Sequence, residues 1–329
     1  MINRPLAILF SLIVFSFTIG TTEITNENVS IYEWKQPSVK FPSDNPFSES
    51  SIKLGGELFF ENLLSKDSSI SCKSCHQITE AFADHLPVGE GILGRTVTRN
   101  TPTLINIGLH PYFMADGKFN SLEEQVLGPI NEHREFDMSP EAIISRLKDI
   151  PRYKELSNTA YKEDINIEIV QKALANFQRI ITSEDSKFDQ FMEGKIKLTQ
   201  KEKTGWKLFQ NSKLNCIQCH SGFNFTNYSF ENNGLYTSYS DSGRALITGK
   251  KQDIAKFKVP SLRNIAITYP YMHDGSVKSL EEVIDHYSSG GKGHISQSTL
   301  IKGFTIQDNE KEALIAFLKT LTENRFIEN

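Results

Sequence analysis

Two short cysteine motifs constrain this 329-residue chain more than any other feature of its sequence. They are Cys72-Lys73-Ser74-Cys75-His76 and Cys216-Ile217-Gln218-Cys219-His220, and together they use all four cysteines. A Cys-x-x-Cys-His run is the attachment signature of a c-type haem, because the two thiols can form thioether bonds to one porphyrin and the histidine can reach its iron. A single run could instead be half of a zinc site, but two complete runs favour two covalent haems. His76 and His220 are then the proximal iron ligands.

An internal repeat accompanies the two motifs. Residues 101–107, Thr-Pro-Thr-Leu-Ile-Asn-Ile, match residues 259–265, Val-Pro-Ser-Leu-Arg-Asn-Ile. An Asp-Gly pair and a Ser-Leu-Glu-Glu run follow at the same spacing in both copies. We therefore predict a mostly α fold with two cytochrome c-like domains that arise from this repeat, each with one covalent haem.

The chain ahead of the repeat has the pattern of an exported protein. Residues 1–20 combine the positive Arg4 with an apolar run that suits a signal peptide and is short for a membrane span. Because covalent haem attachment is completed outside the cytoplasm, we expect a periplasmic protein; an uncleaved N-terminal anchor is the alternative that would hold it at the membrane. Residues 21–45 are predicted as a polar leader, 46–190 as the N-terminal haem domain and 191–329 as the C-terminal haem domain.

The composition is that of a globular protein that does not bind nucleic acid. Hydrophobic residues make up 38% of the chain and the formal net charge is −4, whereas a nucleic-acid-binding domain would carry a basic stripe. Capping residues and the helical spacing of apolar side chains predict mainly helix. The predicted helices span residues 52–62, 121 onwards, 139–147, 165–181, 184–194, 198–209 and 308–322.

The repeat also compares the two places where a second iron ligand could lie. In the helix after the Asp-Gly pair, Pro129 of the first copy aligns with Tyr287 of the second. Proline cannot bind iron, whereas a tyrosine phenolate can. We therefore expect an open distal face at the first haem and a Tyr287 ligand at the second. The alternative for Tyr287 is an aromatic side chain that only packs against the porphyrin.

An open ferric haem that meets peroxide needs a group that moves a proton between the two peroxide oxygens. Gln125 lies one helical turn before the proline and Glu135 follows in the next loop, so both are candidates. Spacing alone also fits a solvated surface pair. His133 could line the same pocket, whereas His85 and His110 lie in loops and are expected at the surface.

Further motifs along the chain carry a family resemblance. They are Leu54-Gly55 with Leu58-Phe59-Phe60, Ser69-Ile70-Ser71-Cys72, Arg99-Asn100-Thr101-Pro102, Leu122-Glu123-Glu124-Gln125 with Gly128-Pro129, Val259-Pro260-Ser261-Leu262-Arg263-Asn264, and Tyr271-Met272-His273-Asp274-Gly275. In these motifs, from about residue 42 to the C-terminus, the chain resembles the bacterial di-haem cytochrome c peroxidase family, which includes MauG.

The resemblance implies an oxidoreductase that reduces hydrogen peroxide to water at the N-terminal haem. Electrons would enter at the C-terminal haem from a small cytochrome c or cupredoxin. Gln125 and Glu135 fall on the family's distal-pocket glutamine and catalytic glutamate. Asn100, with the backbone oxygens of Thr268 and Pro270, falls on a calcium site between the haems. Whether the chain acts as a monomer or a homodimer stays open.

Three positions depart from the usual peroxidase pattern. The loop at residues 86–98 has no histidine, and Ile92 stands about where a distal histidine would be. Tyr287 replaces the methionine ligand of the second iron; both changes resemble MauG. Ala115 replaces the inter-haem tryptophan. Two alternatives to a peroxidase follow: a MauG-like enzyme that uses peroxide to oxidise a partner protein, and an electron-transfer cytochrome without catalytic activity, which the proline at position 129 disfavours.

Overall fold

A computed structural model describes residues 36–327 of the chain. The predicted signal peptide and most of the predicted leader lie outside the described residues. The α-helices within this range are α1 (Glu49–Phe59), α2 (Cys72–Cys75), α3 (Leu122–Asn131), α4 (Pro140–Leu147), α5 (Pro151–Tyr161), α6 (Ile167–Arg179), α7 (Lys187–Met192), α8 (Gln200–Gln210), α9 (Cys216–Cys219), α10 (Ala245–Thr248), α11 (Leu280–Ser289) and α12 (Asp308–Lys319). Short 3-10 turns lie at Asn62–Leu64, Ile78–Glu80, Ile92–Gly94, Ile107–Leu109, Lys251–Asp253 and Asn324–Phe326.

Strand structure is confined, in this range, to one small antiparallel ribbon and a few isolated bridges. The ribbon pairs β1 (Phe230–Glu231) with β2 (Phe257–Lys258), with Phe230 opposite Lys258. The prediction of a mostly α fold is therefore confirmed. No helix between residues 36 and 327 is long and apolar enough to cross a membrane.

Side-chain caps decide where most of the helices begin. Ser121, Ser139 and Asn166 each accept a hydrogen bond from the backbone N–H three residues later, in the first turns of α3, α4 and α6. Ser186 and Thr199 form reciprocal capping boxes that start α7 and α8. These local signals explain why the predicted helices lie within a few residues of their observed ends.

Helix α5 is one that the sequence pattern missed. It begins on Pro151, without a side-chain cap, and ends at Lys162, which has a left-handed conformation with φ 62°. Only Tyr153 and Ser157 are buried on this helix, so its apolar stripe is too narrow to stand out in the sequence. Packing against α1 holds it in place.

Two helix pairs share the same close crossing. α1 packs on α6 at Gly55, and α8 packs on α12 at Gly205. A Cβ atom on Gly55 would lie 2.0 Å from the carbonyl oxygen of Ala173, and one on Gly205 would lie 1.9 Å from that of Ala313. Glycine is required because any side chain would overlap the facing backbone. The crossings position the cysteine motifs, since each motif helix follows the first helix of its pair.

Replacing Gly55 by alanine should lower the free energy of unfolding by about 1–3 kcal/mol, because the new methyl group overlaps the backbone of α6. Gly56 is the matched control, since a Cβ there would lie 3.4 Å from the Phe177 ring, in ordinary contact. Thermal unfolding followed by circular dichroism should show a lower midpoint for Gly55→Ala and an equal or higher one for Gly56→Ala. Equal midpoints for the two variants would contradict the close crossing.

Buried apolar side chains form two clusters. The first collects residues from α1, α3, α4, α5 and α6, and the second collects residues from α7, α8, α11 and α12. The two clusters do not divide at one point in the chain. Phe188, just before the predicted domain boundary at residue 190, packs in the second cluster, and Phe326 returns from the C-terminus to pack in the first. A buried ion pair between Asp189 and Arg263, with an Nη1–Oδ2 distance of 2.8 Å, ties α7 to the second cluster.

Matched residues of the repeat have matched backbone conformations. Asn106 and Asn264 both have positive φ, 55° and 59°, and so do Met114 and Met272, 66° and 75°. Helices α3 and α11 follow these turns, and each begins directly after a serine cap and is ten residues long. The residues of these two helices can therefore be compared position by position.

Candidate active site

Each cysteine motif forms one turn of helix that ends at its histidine. In the first motif, the backbone N–H of His76 donates to the carbonyl of Cys72 at 3.0 Å, and in the second, that of His220 donates to Cys216 at 2.9 Å. Residues three apart share a face of a helix. Both thiols of a motif therefore project from the same face of α2 or α9.

The ring of each motif histidine is held by a backbone carbonyl. Nδ1 of His76 lies 3.0 Å from the oxygen of Phe82, and Nδ1 of His220 lies 3.0 Å from that of Phe225. Since a carbonyl only accepts, Nδ1 carries the proton, and Nε2 keeps the lone pair that a metal ion needs. Burial lowers the pKa of both imidazoles, which keeps the rings neutral.

The four motif cysteines are free, half-buried thiols. Their pKa is raised mainly by burial. It is about 12 for Cys72, Cys75 and Cys216 and about 11 for Cys219. No group of three or more His, Cys, Asp or Glu among residues 36–327 is arranged to hold a metal ion, so a zinc site built on a motif finds no support there. Two neutral thiols with one neutral imidazole fit a covalently attached c-type haem at each motif.

An open cavity of about 500 Å³ adjoins the first motif. Cys75 and Asp84 line it on the side of the motif, and Glu90, Gly91 and Leu93 line it from the following loop. Volumes of this size are typical of sites for cofactors and small ligands. The first motif therefore has room beside it for a bulky group.

Pro129 and Tyr287 occupy equivalent positions, the eighth residue of α3 and of α11. Both are half-buried. The proline side chain has no donor atom. Burial raises the pKa of Tyr287 to about 12, and the neighbouring thiols Cys216 and Cys219 contribute, which places the phenol beside the second motif. Such a phenol loses its proton near neutral pH only against a cation, for which a ferric iron would serve.

The chain folds back at the end of α3 and carries Glu135 toward the first motif. The backbone N–H of Glu135 donates to the carbonyl of Glu132 at 2.9 Å, and the N–H of Phe136 donates to that of Pro129 at 3.2 Å. These two bonds form a tight turn after the helix. The turn brings Glu135 to the same end of α3 as the proline.

The loop after the first motif packs directly on this turn. Ile92 is fully buried, and its backbone N–H donates to the carbonyl of Glu135 at 3.1 Å. A Cβ atom on Gly91 would lie 1.9 Å from the carbonyl oxygen of Arg134, so only glycine fits there. The loop thus packs on the turn that carries Glu135, and the buried Ile92 side chain has no atom that could bind iron.

The pKa of Glu135 is raised to about 7, mainly because its carboxyl is buried; the charge of Glu132 adds to the effect. Glu135 lies beside the first motif, because its charge in turn contributes to the raised pKa of Cys72 and Cys75. A carboxyl group with a pKa near 7 can both accept and return a proton at neutral pH.

An amide side chain faces a methionine sulfur in both halves of the chain. In the first half, Nε2 of Gln125 lies 3.8 Å from Sδ of Met114. In the second half, Nδ2 of Asn233 lies 3.1 Å from Sδ of Met272. Gln125 is half-buried on α3, one turn before the proline. It therefore lies on the same helix face as the proline, with an amide that can orient a polar ligand.

Charged residues fill the region around Ala115, the position that the sequence resemblance assigns to an inter-haem tryptophan. The carbonyl of Ala115 accepts a bond from the backbone N–H of Lys258 at 2.7 Å, and Nζ of Lys258 lies 3.1 Å from Nδ1 of His110. His110 is half-buried here and not free at the surface as its loop position suggested. Nearby, Arg99 pairs with Asp241 at 2.6 Å across the two halves of the chain.

Asn100 also joins the two halves. Its backbone N–H donates to the carbonyl of His273 at 2.8 Å, and its side-chain amide donates to the carbonyl of Leu86 at 3.0 Å. Thr268 and Pro270, the other predicted calcium ligands, lie a few residues before His273 in the chain. The donor set is an amide oxygen and backbone carbonyls, which are ligands that calcium accepts.

His133 does not line the pocket at the first motif. Its side chain is 68% exposed, and Nδ1 lies 3.4 Å from the Asp137 carboxylate, which also pairs with Arg95. His85 is partly exposed, and its ring stacks on Tyr269 with centroids 4.1 Å apart. Neither histidine is in a position that suggests a ligand of the first iron.

The helical fold and the two carbonyl-held histidines define the class of c-type haem proteins. A family model described as di-haem cytochrome c peroxidase matches residues 49–197. The methylamine utilization protein MauG of Methylorubrum extorquens is 37% identical over 289 residues, which cover 86% of this chain and 81% of that protein. Cytochrome c551 peroxidase of Nitrosomonas europaea is 32% identical over 293 residues, which cover 87% of this chain and 84% of that protein.

A solved structure indicates the same family. The crystal structure of a MauG-like protein associated with microbial copper homeostasis matches with a TM-score of 0.84 and 34% identity, over 89% of this chain and 96% of that chain. The chain therefore belongs to the di-haem cytochrome c peroxidase and MauG family, whose members are haem oxidoreductases. The resemblance seen in the sequence motifs is confirmed.

Proposed function

We propose that this protein reduces hydrogen peroxide to water beside the first cysteine motif, with electrons that a small cytochrome c or cupredoxin delivers at the second. The observation that carries the proposal is the half-buried Glu135 carboxyl at the first motif, with a pKa of about 7. A group with this pKa and position suits proton transfer to and from peroxide. The apolar run within residues 1–20 supports a periplasmic location.

The two cysteines of each motif would hold one haem, and His76 and His220 would bind the irons through Nε2. Tyr287 would be the second protein ligand of the second iron, whereas Pro129 would leave the first iron without one. The two buried clusters support two haem units, for which we keep the bounds 46–190 and 191–329; Phe188 packs in the second cluster and Phe326 in the first. When bound, the first haem supplies the iron that binds peroxide and the electrons that reduce it.

Glu135 would move the proton in this reaction. Its carboxylate accepts a proton from one peroxide oxygen and then returns it to the other oxygen, which leaves as water. The full reaction consumes one peroxide, two electrons and two protons and yields two water molecules. Gln125 would orient the peroxide by a hydrogen bond from Nε2, and Pro129 keeps the approach free of a competing ligand.

A calcium ion between the two halves is a further part of the proposal. Asn100 would provide its amide oxygen, and Thr268 and Pro270 their backbone oxygens. The bond from Asn100 to His273 supports this, because it places Asn100 at the seam between the halves. Neutral oxygen ligands of this kind suit calcium and leave the remaining positions to water.

A MauG-like oxidation of a partner protein is the second candidate function. Tyr287 favours it, because an anionic phenolate stabilises ferric iron and would make the second haem a poor acceptor from a high-potential donor. The similar proteins include one named MauG and one named cytochrome c551 peroxidase. Turnover with reduced cytochrome c tests the first function, and oxidation of a partner without such a donor tests the second.

The protein should carry two covalent haems, because both motifs are complete and their thiols are free. Intact mass spectrometry of denatured protein should show the chain plus two haems. A variant with both Cys216 and Cys219 replaced by serine should keep only the haem attached to the first motif. One haem in the unaltered protein, or none after denaturation, would contradict the assignment.

The oxidised protein should turn over peroxide at once, without prior reduction. The buried Ile92 occupies the loop where the ordinary peroxidases of the family are expected to carry a distal histidine, so no ligand would have to leave the first iron. Stopped-flow assays with reduced cytochrome c should show no lag, and pre-reduction should not accelerate the first turnovers. An Ile92→His variant is the control, because a histidine there should introduce a lag that pre-reduction removes.

A further inference from the structure

A line of three tyrosines leads from the second motif to the protein surface. Tyr287 is the innermost, and its ring lies 5.2 Å, between centroids, from that of the adjacent His286. Tyr239 is near enough to contribute to the raised pKa of Tyr287. The rings of Tyr239 and Tyr236 are 5.4 Å apart between centroids. Tyr236 is 36% exposed. The loop that carries the outer two tyrosines is anchored on α11, because the carbonyl of Asn233 accepts a bond from the ring of His286 at 2.9 Å.

The outermost tyrosine has a base in place for its proton. The hydroxyl of Tyr236 donates to Oδ2 of Asp274 at 2.6 Å. Asp274 is itself fixed, since its Oδ1 accepts a bond from the backbone N–H of Ser276 at 3.1 Å. A phenol that loses an electron becomes a strong acid, so oxidation is much easier when a carboxylate can take the proton at the same time.

The middle tyrosine lacks such a base. The hydroxyl of Tyr239 donates to the side-chain oxygen of Asn232 at 2.9 Å and accepts a bond from the backbone N–H of Tyr236 at 3.1 Å. An amide oxygen is a far weaker base than a carboxylate. Tyr239 can therefore pass an electron between its neighbours, but a radical would come to rest on Tyr236.

We propose that Tyr236 is a one-electron redox site at which oxidising equivalents formed inside the protein reach the surface. The inference rests on the proposed function and adds to it a second class of electron donor, a phenol, which would meet the enzyme at Tyr236. Ala115 offers no ring between the two halves, whereas the tyrosine line offers rings from the second motif outward.

The step balances as follows. Tyr236 gives one electron, through Tyr239, to the protein interior that peroxide has oxidised, and its O–H proton moves to Oδ2 of Asp274. A neutral tyrosyl radical remains. An external phenol then gives one electron and one proton, which restores the O–H bond of Tyr236 while Asp274 releases its proton to water. Two such cycles supply the two electrons that one peroxide consumes.

Tyr112 is the matched control, because its exposed fraction of 37% is nearly that of Tyr236. The guanidinium of Arg244 lies 5.7 Å from its ring centroid, and a positive charge there opposes the loss of an electron. The two surface tyrosines thus differ in the charge beside them, a carboxylate at Tyr236 and a cation at Tyr112. A radical site selected by exposure alone would label both.

The test treats the di-haem protein with peroxide and a nitroso spin trap, and maps the trapped residues by peptide mass spectrometry alongside the electron paramagnetic resonance spectrum. The unaltered protein and Tyr112→Phe should give the adduct at residue 236 and a tyrosyl signal. Tyr236→Phe should lose both, and Asp274→Asn, which keeps the turn but removes the base, should lose most of both. Labelling of Tyr112 equal to that of Tyr236, or an Asp274→Asn protein that behaves like the unaltered one, would overturn the proposal.

A second measurement separates this inference from the proposed function. Photo-oxidation with ruthenium tris-bipyridine and persulfate removes one electron without peroxide. Preferential labelling of Tyr236 over Tyr112, lost in Asp274→Asn, supports the redox site even where peroxide turnover fails. Equal labelling overturns the site. Normal peroxide turnover without any adduct at residue 236 also overturns the site and leaves the proposed function intact.

Discussion

Replacing Glu135 by glutamine should lower peroxide turnover by roughly two to four orders of magnitude, which is the usual contribution of a positioned acid–base group. Glutamine has nearly the same shape but cannot take a proton from one peroxide oxygen and return it to the other. The absorption spectra of both haems should stay unchanged, because Glu135 binds neither iron in the proposed arrangement. The measurement is steady-state peroxide reduction with reduced cytochrome c.

The pH dependence gives the same residue a second signature. Burial raises the pKa of Glu135 to about 7, so the carboxylate form that accepts the proton increases as the pH rises through about 7. The value of kcat/KM should therefore rise across this range in the unaltered protein and level off above it. Glu135→Gln should show a low, flat profile over the same range.

Glu132 is the matched control for Glu135. It is exposed, and its charge adds to the raised pKa of Glu135. Glu132→Gln should keep near-normal turnover at neutral pH and move the rising part of the profile to lower pH, because the repelling charge is gone. Equal losses in the two variants would show that charge in this turn matters and that Glu135 is not a specific proton carrier. Unchanged turnover in Glu135→Gln would remove the residue from the reaction.

The second large effect is expected at Tyr287. A phenolate is a hard, anionic ligand that stabilises ferric iron, whereas a methionine thioether raises the potential of a haem. Tyr287→Met should therefore raise the potential of the second haem by about 0.1 V or more, within the roughly 0.8 V that axial ligands span. Spectroelectrochemical titration measures this directly. The variant should also accept electrons more readily from a high-potential cytochrome c, as an ordinary peroxidase does.

Removing the ligand distinguishes binding from packing at the same position. Tyr287→Phe keeps the ring but deletes the phenol oxygen, so the second ferric iron should lose a ligand and its electron paramagnetic resonance signal should change. His286→Gln is the control, because His286 is adjacent and its ring bonds to the carbonyl of Asn233. That variant should leave the ferric spectrum as it is. If Tyr287→Phe also leaves it as it is, the tyrosine only packs beside the haem.

Local chemistry explains what could be predicted from the sequence. The cysteine motifs need no tertiary context, because the spacing of thiols and histidine is itself the attachment geometry. Helix caps such as Ser121 and Thr199 act within three residues, so helix starts follow from short runs of sequence. The repeat placed Pro129 and Tyr287 at one helical position, which the equal lengths of α3 and α11 confirm.

Packing between distant segments decided the rest. The pKa of Glu135 depends on burial, and the loop with Ile92, about forty positions earlier in the sequence, covers its turn. His110 is half-buried because Lys258 meets it from the other half of the chain. Tyr236 and Asp274 are 38 positions apart and form a bonded pair only after the loop folds onto α11. Which residues can hold a haem follows from short runs of sequence, because the spacing within each run sets the attachment geometry. Which carboxyl is shielded from water and which tyrosine has a base follow only from the folded chain, because both depend on neighbours that are far apart in sequence.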